Sequence, residues 1–158
     1  MAKYNIAVNM SSYVPVELVP GVIESIINET SNRLIIIYPF SDVPVFIRDA
    51  LQERANRAPL NLVFVFSNSV LRNNLLQYSK IRSSSGYLEI EVRVINQLYN
   101  CCFVNDANLL MLLPESETDY FNASFGWQAG VNNTSSDIYH ETLLYINDIM
   151  KKSHRVFQ

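Results

Sequence analysis

Two short apolar runs, Leu34-Ile35-Ile36-Ile37-Tyr38 and Leu62-Val63-Phe64-Val65-Phe66, limit the fold more than any other feature of the chain. Neither alternates polar with apolar residues, both are rich in β-branched or aromatic side chains, and the first stops at Pro39. Such runs belong to strands buried on both faces, the condition of strands at the centre of a parallel sheet. Helices must then cover both faces, and the flanking sequence supplies them. Val19, Val22, Ile23, Ile26 and Ile27 keep the i, i+3, i+4, i+7, i+8 spacing of one helix face over 18–30, with Pro20 in the first turn where its missing N–H costs little. After the Ser41-Asp42 turn, Val43, Phe46, Ile47, Ala50 and Leu51 repeat the stripe, with Asp42 as N-cap and Arg48, Asp49, Glu53 and Arg54 on the outer side. A third helix is expected over 69–80, with Val70, Leu71, Leu75 and Tyr78 inward. Helix, strand, helix, strand, helix in this order requires parallel strands joined by crossovers.

Downstream the pattern changes. After the Ser83-Ser84-Ser85-Gly86 break, Leu88, Ile90, Val92 and Val94 alternate with Glu89, Glu91 and Arg93, the signature of a strand with one wet face nearer a sheet edge. Strand-like runs at 100–104 and 109–113 flank Asn105-Asp106-Ala107-Asn108, a hairpin-type turn, and a further strand is expected around 120–127. A long helix opens at Ser136 or Asp137 and turns Tyr139, Leu143, Ile146 and Met150 inward. Lys151, Lys152, His154 and Arg155 are placed at its end, where cations suit the helix dipole. The expected class is α/β, with a mixed, mainly parallel central sheet flanked by helices on both faces. With 158 residues, no internal repeat and no linker, one domain over 1–158 is expected.

Composition narrows function mainly by exclusion. A formal net charge of −3 argues against a broad phosphate-binding surface, so no direct nucleic-acid contact is expected of this chain. No apolar run is long enough to cross a bilayer and 1–10 lacks the layout of a secretory signal, so a cytoplasmic protein without membrane contact is expected. Cys101 and Cys102, the only cysteines, are adjacent and would alternate across a strand; they read as reduced, buried fillers with no metal-ligand spacing. His140 and His154 fall too far apart along the predicted last helix to grip one metal or substrate, and read as a surface residue and a favourable charge at the helix end. No P-loop, dinucleotide fingerprint or Gly-x-Ser-x-Gly elbow is present. Neither a cofactor nor a metal is expected, and the chain reads as carrying no chemistry of its own.

The segment from Tyr99 through Cys101, Phe103 and Val104 to Asp106 closes a strand with an aspartate at a turn, and is followed by the 109–113 run and a terminal helix. This resembles the second part of a phospholipase D-like domain. That superfamily's catalytic pattern is His-x-Lys-x4-Asp, with the histidine as nucleophile and the lysine holding phosphate. On this sequence Asp106 takes the aspartate position, while Tyr99 stands in place of the histidine and Cys101 in place of the lysine. A phenol titrating near pH 10 is a poor substitute for imidazole, and a thiol supplies no cation. Within the superfamily, the order and spacing of elements over 18–156 resemble the non-catalytic effector domain of archaeal winged-helix regulators, the filament-formation family of methanogens and, more distantly, sugar-sensing regulators. The resemblance implies an effector-binding domain that forms homodimers and takes an unidentified small molecule. The winged helix of those regulators has no counterpart here, so no DNA-binding domain is expected in this chain.

In parallel sheets ligands bind beyond the carboxyl ends of the strands. That rule selects Tyr38, Ser41 and Asp42 after the first central strand, Ser67, Asn68 and Arg72 after the second, and Tyr99 beside them, with no catalytic residue among them. Each also has a plainer reading: Asp42 as a cap, Ser67 to Ser69 as turn and cap, Asp106 as a turn residue, Trp127 as core or subunit contact. Three functional classes stay open: an effector-binding domain of a transcriptional regulator, a phospholipase D-superfamily phosphodiesterase or nuclease with a non-standard site, and a protein-interaction module without a small ligand.

Overall fold

The computed structural model describes residues 12–40, 43–67, 88–98, 100–113, 125–130 and 136–157. Among these, eight strands form one sheet in the order β1-β7-β6-β5-β2-β3-β4-β8. They are β1 (Ser12–Val14), β2 (Arg33–Tyr38), β3 (Leu60–Ser67), β4 (Leu88–Ile95), β5 (Cys101–Val104), β6 (Asn108–Leu113), β7 (Phe125–Gly130) and β8 (His154–Phe157). The helices are α1 (Val19–Asn28), α2 (Val45–Arg57) and α3 (Ser136–Lys152).

The two apolar runs are parallel neighbours at the centre, in register from Leu34 opposite Leu62 to Tyr38 opposite Phe66. β4 continues the parallel set beside β3, and β5 joins β2 on the other side, antiparallel. The β5–β6 hairpin and β7 extend that arm, so the strands at 101–113 share the sheet with the apolar runs. The class is therefore α/β with a mixed sheet whose central strands are parallel, as the sequence indicated.

Alternation along the central strands divides the core in two. Leu34, Ile36, Tyr38, Leu62, Phe64, Phe66, Cys101 and Phe103 pack on the α1 and α2 side. Ile35, Ile37, Val63, Val65, Cys102 and Val104 pack on the other side, against Tyr139, Ile146 and Ile149 of α3. Strands sandwiched in this way have no face left for polar residues, and this is why the runs are uninterrupted.

Several local expectations change. α2 opens at Val45 with Pro44 in the cap position and no side-chain cap, so the helix starts later than an Asp42 cap would place it. Arg54, assigned to the outer side, is only 2% exposed. Its guanidinium donates to the carbonyls of Thr30 (2.8 Å), Ala58 (2.9 Å), Pro59 (3.1 Å) and Ser31 (3.2 Å), stapling the loop before β2 to the loop before β3. Burial, with the nearby Arg57 charge, holds its pKa below the usual arginine value. The last helix ends at Lys152, and His154 to Phe157 form an edge strand paired with β4. Ser153 marks the break. Arg93 of β4 donates to its hydroxyl (2.7 Å), to its carbonyl (3.0 Å) and to the carbonyl of Met150 (3.1 Å), so a cation from the sheet caps the helix terminus. Thr142 and Ile149 join the buried stripe of α3. Of the strand expected around 120–127, residues 120–124 lie outside the described residues, and β7 runs Phe125–Gly130. The helix expected over 69–80 lies outside the described residues. Among the described residues no helix is long and apolar enough to cross a membrane.

Candidate functional site

At the carboxyl ends of the parallel strands the structure describes two of the seven selected residues. Ser41, Asp42, Asn68, Arg72 and Tyr99 lie outside the described residues. Tyr38 and Ser67 close adjacent strands but on opposite faces: Tyr38 shares the α1 and α2 side with its partner Phe66, and Ser67, next along the chain, turns to the side of Ile95 and α3. Both are buried: Tyr38 is fully enclosed, with edge-on ring contacts to Phe40 (5.3 Å) and Phe66 (6.3 Å), and Phe66 stacks on Phe64 at 5.4 Å. Neither presents its side chain to a shared opening at this end of the sheet.

β5 runs antiparallel to β2, which brings its start to the same end: Cys102 lies opposite Ile37. Cys101 faces the α1 and α2 core and Cys102 the α3 core, and both are fully buried and free. Burial pushes the Cys101 thiol well above its usual pKa, with the neighbouring Cys102 adding to the effect, and pushes Cys102 up to about 12. The position at which the phospholipase D resemblance expects a lysine therefore holds a neutral thiol inside the core.

At the opposite end of β2 a polar hollow of about 310 Å³ opens on the α3 side, lined by Arg33, Ile35, Val104, Asn105, Asp106, Tyr139, Leu143 and Asn147. Its floor is apolar, from Ile35 and Val104. Its wall comes from α3, where Tyr139, Leu143 and Asn147 follow at steps of four and so share one side of the helix. The β5–β6 turn is locked by Asn105, which is 5% exposed. Its side-chain carbonyl accepts from the N–H of Asn108 (2.8 Å) and Ala107 (2.9 Å), its amide donates to the Ile26 carbonyl (2.9 Å), and its own carbonyl accepts from the Tyr139 hydroxyl (2.8 Å). One asparagine thus ties the turn to α1 and to α3. Burial and, next, the charge of Asp106 raise the Tyr139 pKa, so the phenol stays protonated and keeps this bond. Asp106 is exposed at the turn and accepts from the Ser31 hydroxyl.

Arg33, Asn105, Tyr139 and Asn147 were not picked out as a group from the sequence. The pairing of β2 with β5 and the packing of α3 on that face bring them together. His140 is exposed on α3 with its ring edge-on to Tyr139 at 5.4 Å, while His154 lies on β8, in a different element from the one expected. Among the described residues no group of three or more His, Cys, Asp or Glu could hold a metal ion.

No family model matches the chain, and no curated protein matches it. Solved structures do. The chain is similar to TrmBL2, an archaeal chromatin protein whose structure shows a novel mode of DNA binding, with a TM-score of 0.64 and 13% identity over 94% of this chain. It spans 55% of the TrmBL2 chain, about half. It is similar nearly end to end to Nuc from Salmonella typhimurium, a phospholipase D family member (TM-score 0.63, 12% identity, 92% of this chain and 95% of Nuc). The match to NucT from Helicobacter pylori is of the same kind (TM-score 0.62, 12% identity, 91% of this chain and 96% of NucT). These two matches overturn the expectation that the chain is not an enzyme. That expectation rested on the absence of familiar catalytic motifs and on the residues at Tyr99 and Cys101, whereas the whole architecture is one on which a phospholipase D family member is built. What the chain shares with all three proteins is that architecture.

Proposed function

We propose that the chain is the effector-binding part of a transcriptional regulator: a domain of phospholipase D architecture that takes up a small molecule and pairs with a second copy of itself, the ligand shifting the balance between arrangements. The observation that carries this reading is Cys101, a buried thiol at the position where the resemblance calls for a phosphate-holding lysine. A neutral thiol in an apolar core offers nothing to a phosphate, so the strand that would grip one contributes packing instead. The similarity to TrmBL2, which continues well beyond the matched part, supports a place in a longer DNA-associated protein.

The near end-to-end similarity to Nuc and NucT favours a second reading, cleavage of phosphodiesters by a non-standard set of residues. One preparation separates the two. A thermal-shift screen against sugars, small acids and acylated signalling molecules is expected to give a specific rise in Tm. A ligand at a hundred times its Kd contributes about 2.7 kcal/mol, several degrees for a chain of this size. Metal-independent hydrolysis of bis(4-nitrophenyl) phosphate, lost in Tyr99→Phe or His140→Ala, together with no stabilisation by any compound, would replace the first reading with the second.

A further inference from the structure

The hollow at the start of β2 has a charge layout that the effector reading does not by itself require. Ile35 lies opposite Val104 in the antiparallel β2–β5 pair, and both side chains belong to the α3-side core. The ladder ends at that pair; two residues beyond it on each side, Arg33 at the start of β2 and Asp106 in the β5–β6 turn both line the hollow. An arginine and an aspartate lining one small hollow would ordinarily pair. Here they do not: among the described residues the ion pairs are Arg93 with Glu91, Lys152 with Asp148 and Arg155 with Glu91. The Asp106 carboxylate instead takes the hydroxyl of Ser31, while Arg33 lines both this hollow and the adjoining one that holds Glu89 and Glu91, without an ion pair to any described carboxylate.

Between the two charges the lining is apolar at the bottom, from Ile35, Val104 and Leu143, and polar along the wall, from Asn147 and the anchored Tyr139 hydroxyl. The wall is rigid on the side of the turn, because Asn105 fixes the turn to α1 and Tyr139 fixes α3 to the turn. At about 310 Å³ the space lies at the small end of ligand pockets, too little for a nucleotide and enough for a molecule of amino-acid size.

We infer that this hollow binds a small aliphatic α-amino acid, or a zwitterion of the same size and charge spacing. Its carboxylate lies on Arg33, its ammonium lies toward Asp106, and its side chain lies over Ile35, Val104 and Leu143. An anion alone would leave the Asp106 carboxylate facing it, and an amine alone would meet Arg33; only a molecule carrying both charges turns both contacts favourable. The inference rests on the effector reading and gives its ligand a chemical class. It also places recognition at the end of the sheet away from the cysteines.

The test is calorimetric titration of the full chain with L-leucine, with isoamylamine and 4-methylpentanoate as half-ligands and glucose as an uncharged control. L-leucine is expected to bind at least tenfold more tightly than either half-ligand, and Arg33→Gln, an exposed position whose change leaves the core intact, to weaken it at least tenfold. Leu143→Trp, which fills the hollow, is expected to abolish binding while leaving the unfolding transition cooperative. Equal binding of L-leucine to wild type and Arg33→Gln, or no binding up to 10 mM (about the weakest specific range of interest), overturns the assignment. If glucose or another compound binds and Arg33→Gln leaves it unchanged, the effector reading survives and this site does not. If no compound of the wider screen stabilises the chain, both fall.

Discussion

Arg54 offers the sharpest test of how this sheet is held. Replacing it with methionine removes a cation that is 2% exposed and bonded to four backbone carbonyls in the loops preceding β2 and β3. The four acceptors differ in their access to water. Ser31 and Pro59 are exposed residues whose carbonyls can turn to solvent, whereas Thr30 is 3% exposed and its carbonyl would lose a charged donor in a dry place. An orphaned buried acceptor costs about 1–3 kcal/mol, and the net loss of a charged hydrogen bond about 1.5–3 kcal/mol. Against this, methionine relieves the burial of an uncompensated cation. The balance is a destabilisation of roughly 3 kcal/mol, a fall in Tm of about 6–12 °C for a chain of this size. Urea unfolding followed by circular dichroism measures it directly, and Arg54→Lys, which keeps the charge but loses the planar fork, should lose about half as much. A methionine variant within about 2 °C of wild type would show that the loops are held by something else, and that the guanidinium merely occupies space left between them.

Asn105→Ala removes the amide that reaches Ile26 and the carbonyl that closes the β5–β6 turn, and is expected to cost about 2–3 kcal/mol in the same unfolding assay. The Glu91 carboxyl is affected first by burial, which would raise its pKa, but hydrogen bonds and charge from Arg155 and Arg93 outweigh this and hold it below the ordinary value of 4.5. Its stabilisation is therefore complete above pH 4.5 and lost as pH falls through the lower, folded-state value. Comparing the pH dependence of Tm in wild type and Glu91→Gln should show a shallower acid limb in the variant, and superimposable curves would count against the network. With both thiols raised by burial, Cys101 and Cys102 should resist a disulfide reagent in the native state and react in urea; prompt labelling of the folded protein would contradict their placement in the core.

How much of this was legible depended on whether the signal was local. The central strands were, because residues buried on both faces admit no polar interruption, and the hairpin at 105–108 was, because Asn and Asp favour turns. Arg54 was not: a charged residue in an amphipathic helix is assigned to water by default, and nothing in its neighbourhood says that two loops from elsewhere will offer it carbonyls. Lys151 to Arg155 read as a helix terminus because cations suit one, yet the cation that caps α3 is Arg93 from β4, and the residues past Ser153 go to the sheet edge. Asp42 has the chemistry of a cap, but Pro44 fixes where the helix begins. At the candidate site the strand-end rule led to Tyr38 and Ser67, which proved to be buried on opposite faces of the sheet. The charged hollow at the other end arises from residues on three elements far apart in sequence, a juxtaposition that no periodicity encodes.

The two outermost strands carry a lesson about synthesis. Ser12 of β1 is matched with Gln128 of β7, and the opposite border is sealed by β8, with Val94 against His154. A nascent chain can assemble the parallel middle of the sheet early, yet one margin waits for β7 and the other for β8. Partners separated by so much chain associate slowly, and unpaired rims recruit other polypeptides. Loss of β8 would therefore be felt most as lowered yield of dispersed protein, out of proportion to the small area its residues cover.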